Sequence, residues 1–122
     1  MTKRILIVDD AKVVRLRLKD ILESYHYEVI AEAVDGNQAV EMYKQFRPDL
    51  VTLDITMPQK DGIEALEEIL GLDKNAKVVM VTAIDQRNAL MKAIKLGAID
   101  YIIKPFEDDR VISAVSKALA AG

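Results

Sequence analysis

Five polar side chains stand at the carboxyl ends of apolar runs, and their types together suit phosphoryl transfer. Asp9 and Asp10 follow "ILIV", Asp54 closes "DLVTLD", Thr82 closes "KVVMVT" and Lys104 closes "IDYIIK". A carboxylate at the end of a run that should be buried is costly unless something binds it. Three carboxylates sharing one pocket repel each other, each pair by roughly 4 kcal/mol or somewhat less at an effective dielectric near 20. Lys104 offsets only one of these charges. A divalent cation that prefers hard oxygen ligands and retains water, Mg²⁺ (or Mn²⁺), is the simplest resolution. In such a pocket Asp54 can act as a nucleophile and form an aspartyl-phosphate, with Lys104 and the cation neutralising the phosphoryl oxygens and Thr82 donating to one of them. There is no GxxxxGK[ST] loop to cradle a nucleotide, so the donor is expected to be a protein or a small phosphodonor.

These residues lie far apart in the chain and need a fold to bring them together. Short aliphatic runs at 4–9, 28–34, 49–54, 77–82 and 99–104 alternate with segments of helical spacing. The helical stripes are Val14, Leu18, Ile21 and Leu22; Ala39, Val40 and Tyr43; Ile63, Leu66 and Leu70; Leu90, Ala93, Ile94 and Gly97; and Val111, Val115, Ala118 and Leu119. Gly36, Gly62 and Gly97 mark boundaries, as do Pro48, Pro58 and Pro105. Five β/α units imply one parallel sheet with helices on both faces, and right-handed crossovers favour the flavodoxin-like order 2-1-3-4-5. Ligands of such open sheets bind outside the carboxyl ends of the strands near the topological switch point. Asp9, Asp10, Asp54, Thr82 and Lys104 converge on that rim, whereas Asp35 ends an edge strand and should be peripheral.

The composition limits the alternatives. With 122 residues and 51% hydrophobic content, the chain fits one domain, residues 1–122, with a real core. The net charge of −3 argues against a generally basic nucleic-acid footprint. With no cysteine and one histidine, thiolate metal sites and a Ser-His-Asp triad are excluded or improbable. No apolar run is long enough to span a bilayer, and the expected location is the cytoplasm.

Taken singly, each residue has an ordinary explanation. Asp9 and Asp10 could cap the first helix, Asp54 could be a turn residue before Pro58, and Thr82 is an unremarkable strand residue. Met57, Met80 and Met91 read as packing, and His26 as a helix-end or surface residue. The combination on one rim favours function.

"ILIVDD", "DLVTLDITMPQKDG", "VVMVTA" and "GAIDYIIKPF", in this order and spacing, resemble the receiver domain of two-component response regulators over essentially the whole chain. Because nothing remains for an output domain, the closest resemblance is to single-domain, CheY-like members. The resemblance implies that Asp54 accepts the phosphoryl group. Asp9, Asp10 and Asp54 then hold Mg²⁺ with the backbone carbonyl of Thr56, and Lys104, followed by a cis bond to Pro105, pairs with the phosphoryl group. Thr82 and Tyr101 match the switch pair, and Ala83 the small residue that leaves the phosphate accessible. Arg87, Lys92, Lys95, Tyr101, Glu107 and Arg110 fall on or near the fourth helix, fifth strand and fifth helix, the face that receivers use for readout.

The expected function is therefore a phosphorylation-dependent signalling switch, not a turnover enzyme. A histidine kinase or phosphotransfer protein is the expected donor, and a protein such as the flagellar motor switch the expected target. Neither direct nucleic-acid contact nor membrane insertion is expected, and the chain should be a monomer. A phosphorelay intermediate and a receiver from a longer DNA-binding regulator are alternative outputs. Among other classes, an Asp-nucleophile phosphatase lacks its usual second acid, because Thr56 stands there. An FMN carrier is disfavoured by the acidic pair after strand 1.

Overall fold

The structure is a computed structural model that describes residues 2–121. Its elements alternate strictly along the chain: β1 (Arg4–Val8), α1 (Lys12–Ser24), β2 (Glu28–Ala33), α2 (Gly36–Phe46), β3 (Leu50–Asp54), α3 (Gly62–Leu72), β4 (Val78–Ala83), α4 (Arg87–Leu96), β5 (Asp100–Lys104) and α5 (Asp108–Ala120). The five strands form one parallel sheet in the order β2-β1-β3-β4-β5. This is the flavodoxin-like arrangement expected from the β/α alternation.

Alternate side chains of the central strands feed two separate cores. Leu6, Val8, Val51, Leu53, Val78 and Met80 face α2, α3 and α4, meeting Val40, Tyr43, Leu66, Ile69 and Leu90. Ile5, Ile7, Leu50, Val79 and Val81 face α1 and α5, meeting Leu18, Leu22, Val111 and Val115. Because β1, β3 and β4 are buried on both faces, they read as continuous apolar runs. Among the described residues, no helix is long and apolar enough to cross a membrane.

Several local expectations change. β1 ends at Val8, so Asp9 lies one residue past the strand. The acidic pair does not cap α1 by side chain: its N-cap is Ala11, which has no side-chain hydrogen bond. Instead the Asp9 carboxylate accepts from the Ala11 N–H at 2.9 Å, bracing the turn before the helix. On α3 the core position is Ile69, while Leu70 is only partly buried. On α4, Ile94 and Met91 are exposed, so Met91 is not a packing residue. Met57 and Met80 are buried, and the exposed His26 has a positive φ of 68° just past α1.

Asp61 starts α3 with a capping box, its side chain accepting from the Glu64 N–H at 2.9 Å while the Glu64 side chain accepts from the Asp61 N–H. Asp61→Ala is expected to cost about 1 kcal/mol. Thermal denaturation should show a Tm lower by roughly 4 °C, and an unchanged Tm would remove the cap from the account of how α3 begins.

Candidate functional site

The strand register assembles the rim. Val8 pairs with Leu53 across β1 and β3, which places Asp9 beside Asp54. Asp54 pairs with Val81 across β3 and β4, so Thr82 follows one residue further along the neighbouring strand. Ala83 pairs with Lys104 across β4 and β5. Asp9, Asp54 and Thr82 are all buried, at 0%, 5% and 1% exposure, although each sits at the end of its run. Asp35 stands apart on the edge, where it caps α2 by accepting from the Gln38 N–H.

The electrostatics follow from that packing. Lys104 Nζ lies 2.8 Å from Asp9 Oδ2 and 3.5 Å from Asp54 Oδ1. Burial pushes the Asp54 carboxyl up to about 6, and the charges of Asp9 and, more weakly, Asp10 push the same way. The Lys104 ammonium and the Thr56 backbone N–H oppose that rise without cancelling it. For Lys104, burial acts to lower the pKa, but its contacts with Asp9 and Asp54 outweigh burial and raise it. One ammonium therefore serves two buried carboxylates, with a third carboxylate beside them.

The donor set fits a hard divalent cation. Asp9, Asp10 and Asp54 each offer a carboxylate oxygen, and these atoms lie within 4.8 Å of one another. Asp9 Oδ2 is buried and, despite its ion pair with Lys104, has no aligned hydrogen-bond partner. Asp10 is exposed, leaving one side of the cluster open to water. Oxygen-only ligands with room for water are what such cations take.

The backbone around the acids is held from the side of β2. The Asp9 N–H donates to the Ala33 carbonyl at 3.0 Å, and the Gly36 N–H donates to the Lys60 carbonyl at 2.9 Å. The latter bond ties the β3–α3 loop, which contains Thr56, to the start of α2. Lys60 also forms an ion pair with Glu68 on α3. Arg15 donates from Nη1 to the Asp9 carbonyl at 2.8 Å and from Nε to Glu32 at 3.0 Å. Neither Arg15 nor Glu32 stands out in the sequence. The available signal was an arginine about one helical turn beyond the acidic pair.

Tyr101 faces outward, 40% exposed, with the Arg110 guanidinium 5.4 Å from its ring centroid. Its ring joins Ala83, Ile84, Arg87, Leu90 and Met91 in lining a groove of about 300 Å³ between α4 and β5. The readout residues divide accordingly. Arg87 and Tyr101 line the groove, while Lys92 and Lys95 are exposed on α4 outside its lining. Glu107 is the exposed N-cap of α5, and Arg110 is engaged by Asp100 and by the Tyr101 carbonyl. On the other side of Lys104, Arg17 lies 5.1 Å from the Phe106 ring centroid, beside a second shallow pocket that includes Val13 and Pro105. The Lys104–Pro105 peptide is cis.

An α/β rim that gathers buried carboxylates, an ammonium and a hydroxyl at the strand ends defines a class of acidic switch-point sites. Within that class the chain belongs to the response regulator receiver domain family, whose model matches residues 5–116. The chemotaxis protein CheY of Bacillus subtilis is 53% identical over 119 residues, covering 98% of this chain and 99% of that protein. CheY of Thermotoga maritima is 50% identical over 117 residues, covering 96% and 98%. Protein CcdB of Bacillus subtilis is 53% identical over 116 residues, covering 95% and 97%. Among solved structures, the CheX–CheY–BeF3–Mg²⁺ complex from Borrelia burgdorferi aligns with a TM-score of 0.92 at 36% identity, covering 98% of this chain and 90% of that one.

Proposed function

We propose that the chain is a CheY-like chemotaxis switch that takes a phosphoryl group on Asp54 from a histidine kinase and thereby changes its affinity for a downstream protein. The observation that carries the reading is Asp54 itself, a buried carboxylate beside Asp9 and Asp10 and 3.5 Å from the Lys104 ammonium. Near-complete coverage of CheY relatives at about 50% identity supports the chemotaxis output. Mg²⁺ is the cation we assign to Asp9, Asp10, Asp54 and the Thr56 carbonyl, and the Borrelia CheY complex, which contains Mg²⁺, supports that assignment. Bound there, it would neutralise charge on the phosphoryl oxygens.

An ionised Asp54 oxygen attacks phosphorus while the bond from phosphorus to the donor nitrogen breaks in line with it. With its carboxyl near 6, Asp54 is mostly ionised at pH 7 even without a cation. Lys104 pairs with the incoming phosphoryl oxygens, and the buried Thr82 hydroxyl, now only weakly engaged with the Ala83 carbonyl at 3.4 Å, is available to turn toward them. Tyr101 then follows Thr82 inward and alters the α4–β5 groove that the target reads. The product is a signal, and the flagellar motor switch is the proposed target.

The test is incubation with Mg²⁺ and acetyl phosphate followed by intact-mass measurement. The protein should gain the mass of one phosphoryl group, and Asp54→Asn should gain none. A gain that survives Asp54→Asn would sink the assignment.

A further inference from the structure

We infer that Arg15, seated by Glu32, is a positioning residue that fixes the Asp9–Asp10 turn so that both acids face a divalent cation together. The inference rests on reading Asp9, Asp10 and Asp54 as a cation pocket, and it goes beyond that reading because Arg15 and Glu32 lie outside the cluster. Arg15 projects from α1, and its guanidinium bridges two other elements. Nη1 donates to the Asp9 carbonyl at 2.8 Å just past β1, and Nε pairs with Glu32 on β2 at 3.0 Å. The Arg15 side chain is only 14% exposed, so water is a poor substitute for either bond. A rigid fork can make both contacts at once, which a lysine with its single nitrogen cannot do equally well.

Two further bonds hold the same turn. The Asp9 N–H is held by the Ala33 carbonyl, and Asp9 Oδ1 by the Ala11 N–H at 2.9 Å. The Arg15 contact adds a hold on the Asp9 carbonyl, on the opposite side of the residue from its N–H. These anchors leave Asp9 Oδ2 turned toward Lys104 and the cluster. The charge of the clamp also matters. A lone arginine beside three acids would compete with a bound cation, but its pairing with Glu32 makes the clamp neutral and leaves the pocket's own charge for the metal.

The sign of one measurement separates positioning from simple charge. Removing a cation near an Mg²⁺ site should tighten Mg²⁺ binding if charge alone acts, and should weaken it if Arg15 positions the ligands. Calorimetric titration of Mg²⁺ into the whole chain is expected to show Arg15→Met binding about tenfold or more weakly than wild type, the usual range for lost outer partners of metal ligands. Arg15→Lys keeps the charge without the fork and should also bind more weakly, by several fold. Lys19→Met, which removes a charge from the same helix, should stay within about twofold. In the metal-free protein, Ala11 amide exchange should speed up in Arg15→Met, a local effect that the bond from that amide to Asp9 predicts. Should Arg15→Met fold poorly, Arg15→Lys carries the test, because with the charge kept only lost positioning would weaken Mg²⁺ binding, and wild-type affinity in that variant overturns the inference. Mg²⁺ affinity in Arg15→Met equal to or above that of wild type overturns the inference and leaves the pocket reading intact. Wild-type protein that takes up no Mg²⁺ overturns both.

Discussion

Replacing Asp54 with Asn should make the metal-free protein more stable at pH 7, by about 2–3 kcal/mol, while abolishing phosphorylation. The Asp54 carboxyl is raised to about 6 by burial and by the neighbouring acids. In the unfolded chain the same group titrates near 4, so the folded state holds its proton more tightly. Below about pH 4 Asp54 is neutral in both states and carries no penalty. Between about pH 4 and pH 6 ionisation becomes progressively more costly to the folded protein, and above pH 6 the full penalty of about 3 kcal/mol applies. Asn avoids it while roughly keeping the shape, and Lys104 keeps Asp9 as its partner at 2.8 Å. The variant's Tm should exceed that of wild type by roughly 10 °C at pH 7, and the two should converge as the pH falls toward 4. Adding Mg²⁺ should raise the wild-type Tm more than that of the variant, since a ligand of the native state stabilises by mass action. An Asn variant no more stable than wild type at pH 7 would mean that Asp54 is not strained by its surroundings.

That strain is legible in the sequence, because it follows from three acids and one lysine at the ends of apolar runs. The β/α alternation was equally plain, since β1, β3 and β4 are buried on both faces and need no partial polarity. Other features depend on what meets what across the fold. Ile94 fits an apolar stripe and Met91 reads as packing, but α4 sits so that both line an open groove beside Tyr101. Arg15 and Glu32 are 17 residues apart, and they meet only through the pairing of β2 with β1, which shifts register between Ile5 and Leu6. Helical or strand periodicity carries no record of such a shift. Asp35 illustrates the same limit from the other side. The edge position made it peripheral to the acids, yet the residue after it anchors the loop that follows Asp54.

That anchoring gives the second large effect, and here glycines of one chain are expected to respond with opposite signs. Gly62 begins α3, and its N–H donates to the Ile55 carbonyl at 2.7 Å, folding the loop back over the end of β3. A Cβ at Gly62 would fall far inside van der Waals contact with the Asp54 carbonyl oxygen, and one at Gly36 would do the same to the Lys60 carbonyl. Both obstacles are backbone atoms, so neither can be relieved by a side-chain rotation. Gly62→Ala should therefore cost about 3 kcal/mol or more, at or beyond the upper end of ordinary overpacking, and Gly36→Ala about 2–3 kcal/mol. Gly62→Ala must also move the Asp54 backbone. Because displacements near 1 Å can cost on the order of a hundredfold in rate, its phosphorylation by acetyl phosphate should slow far more than its folded fraction declines. Gly71 lies in the last turn of α3 with nothing within 4 Å of an added Cβ, and Gly71→Ala should stabilise by about 0.5 kcal/mol, the lower end of the helix-propensity range. Urea denaturation of the three variants, paired with phosphorylation rates, checks both the order and the signs. Gly62→Ala protein as stable and as reactive as wild type would show that the loop after Asp54 is free to shift, and that the acids are not held by the backbone beneath them.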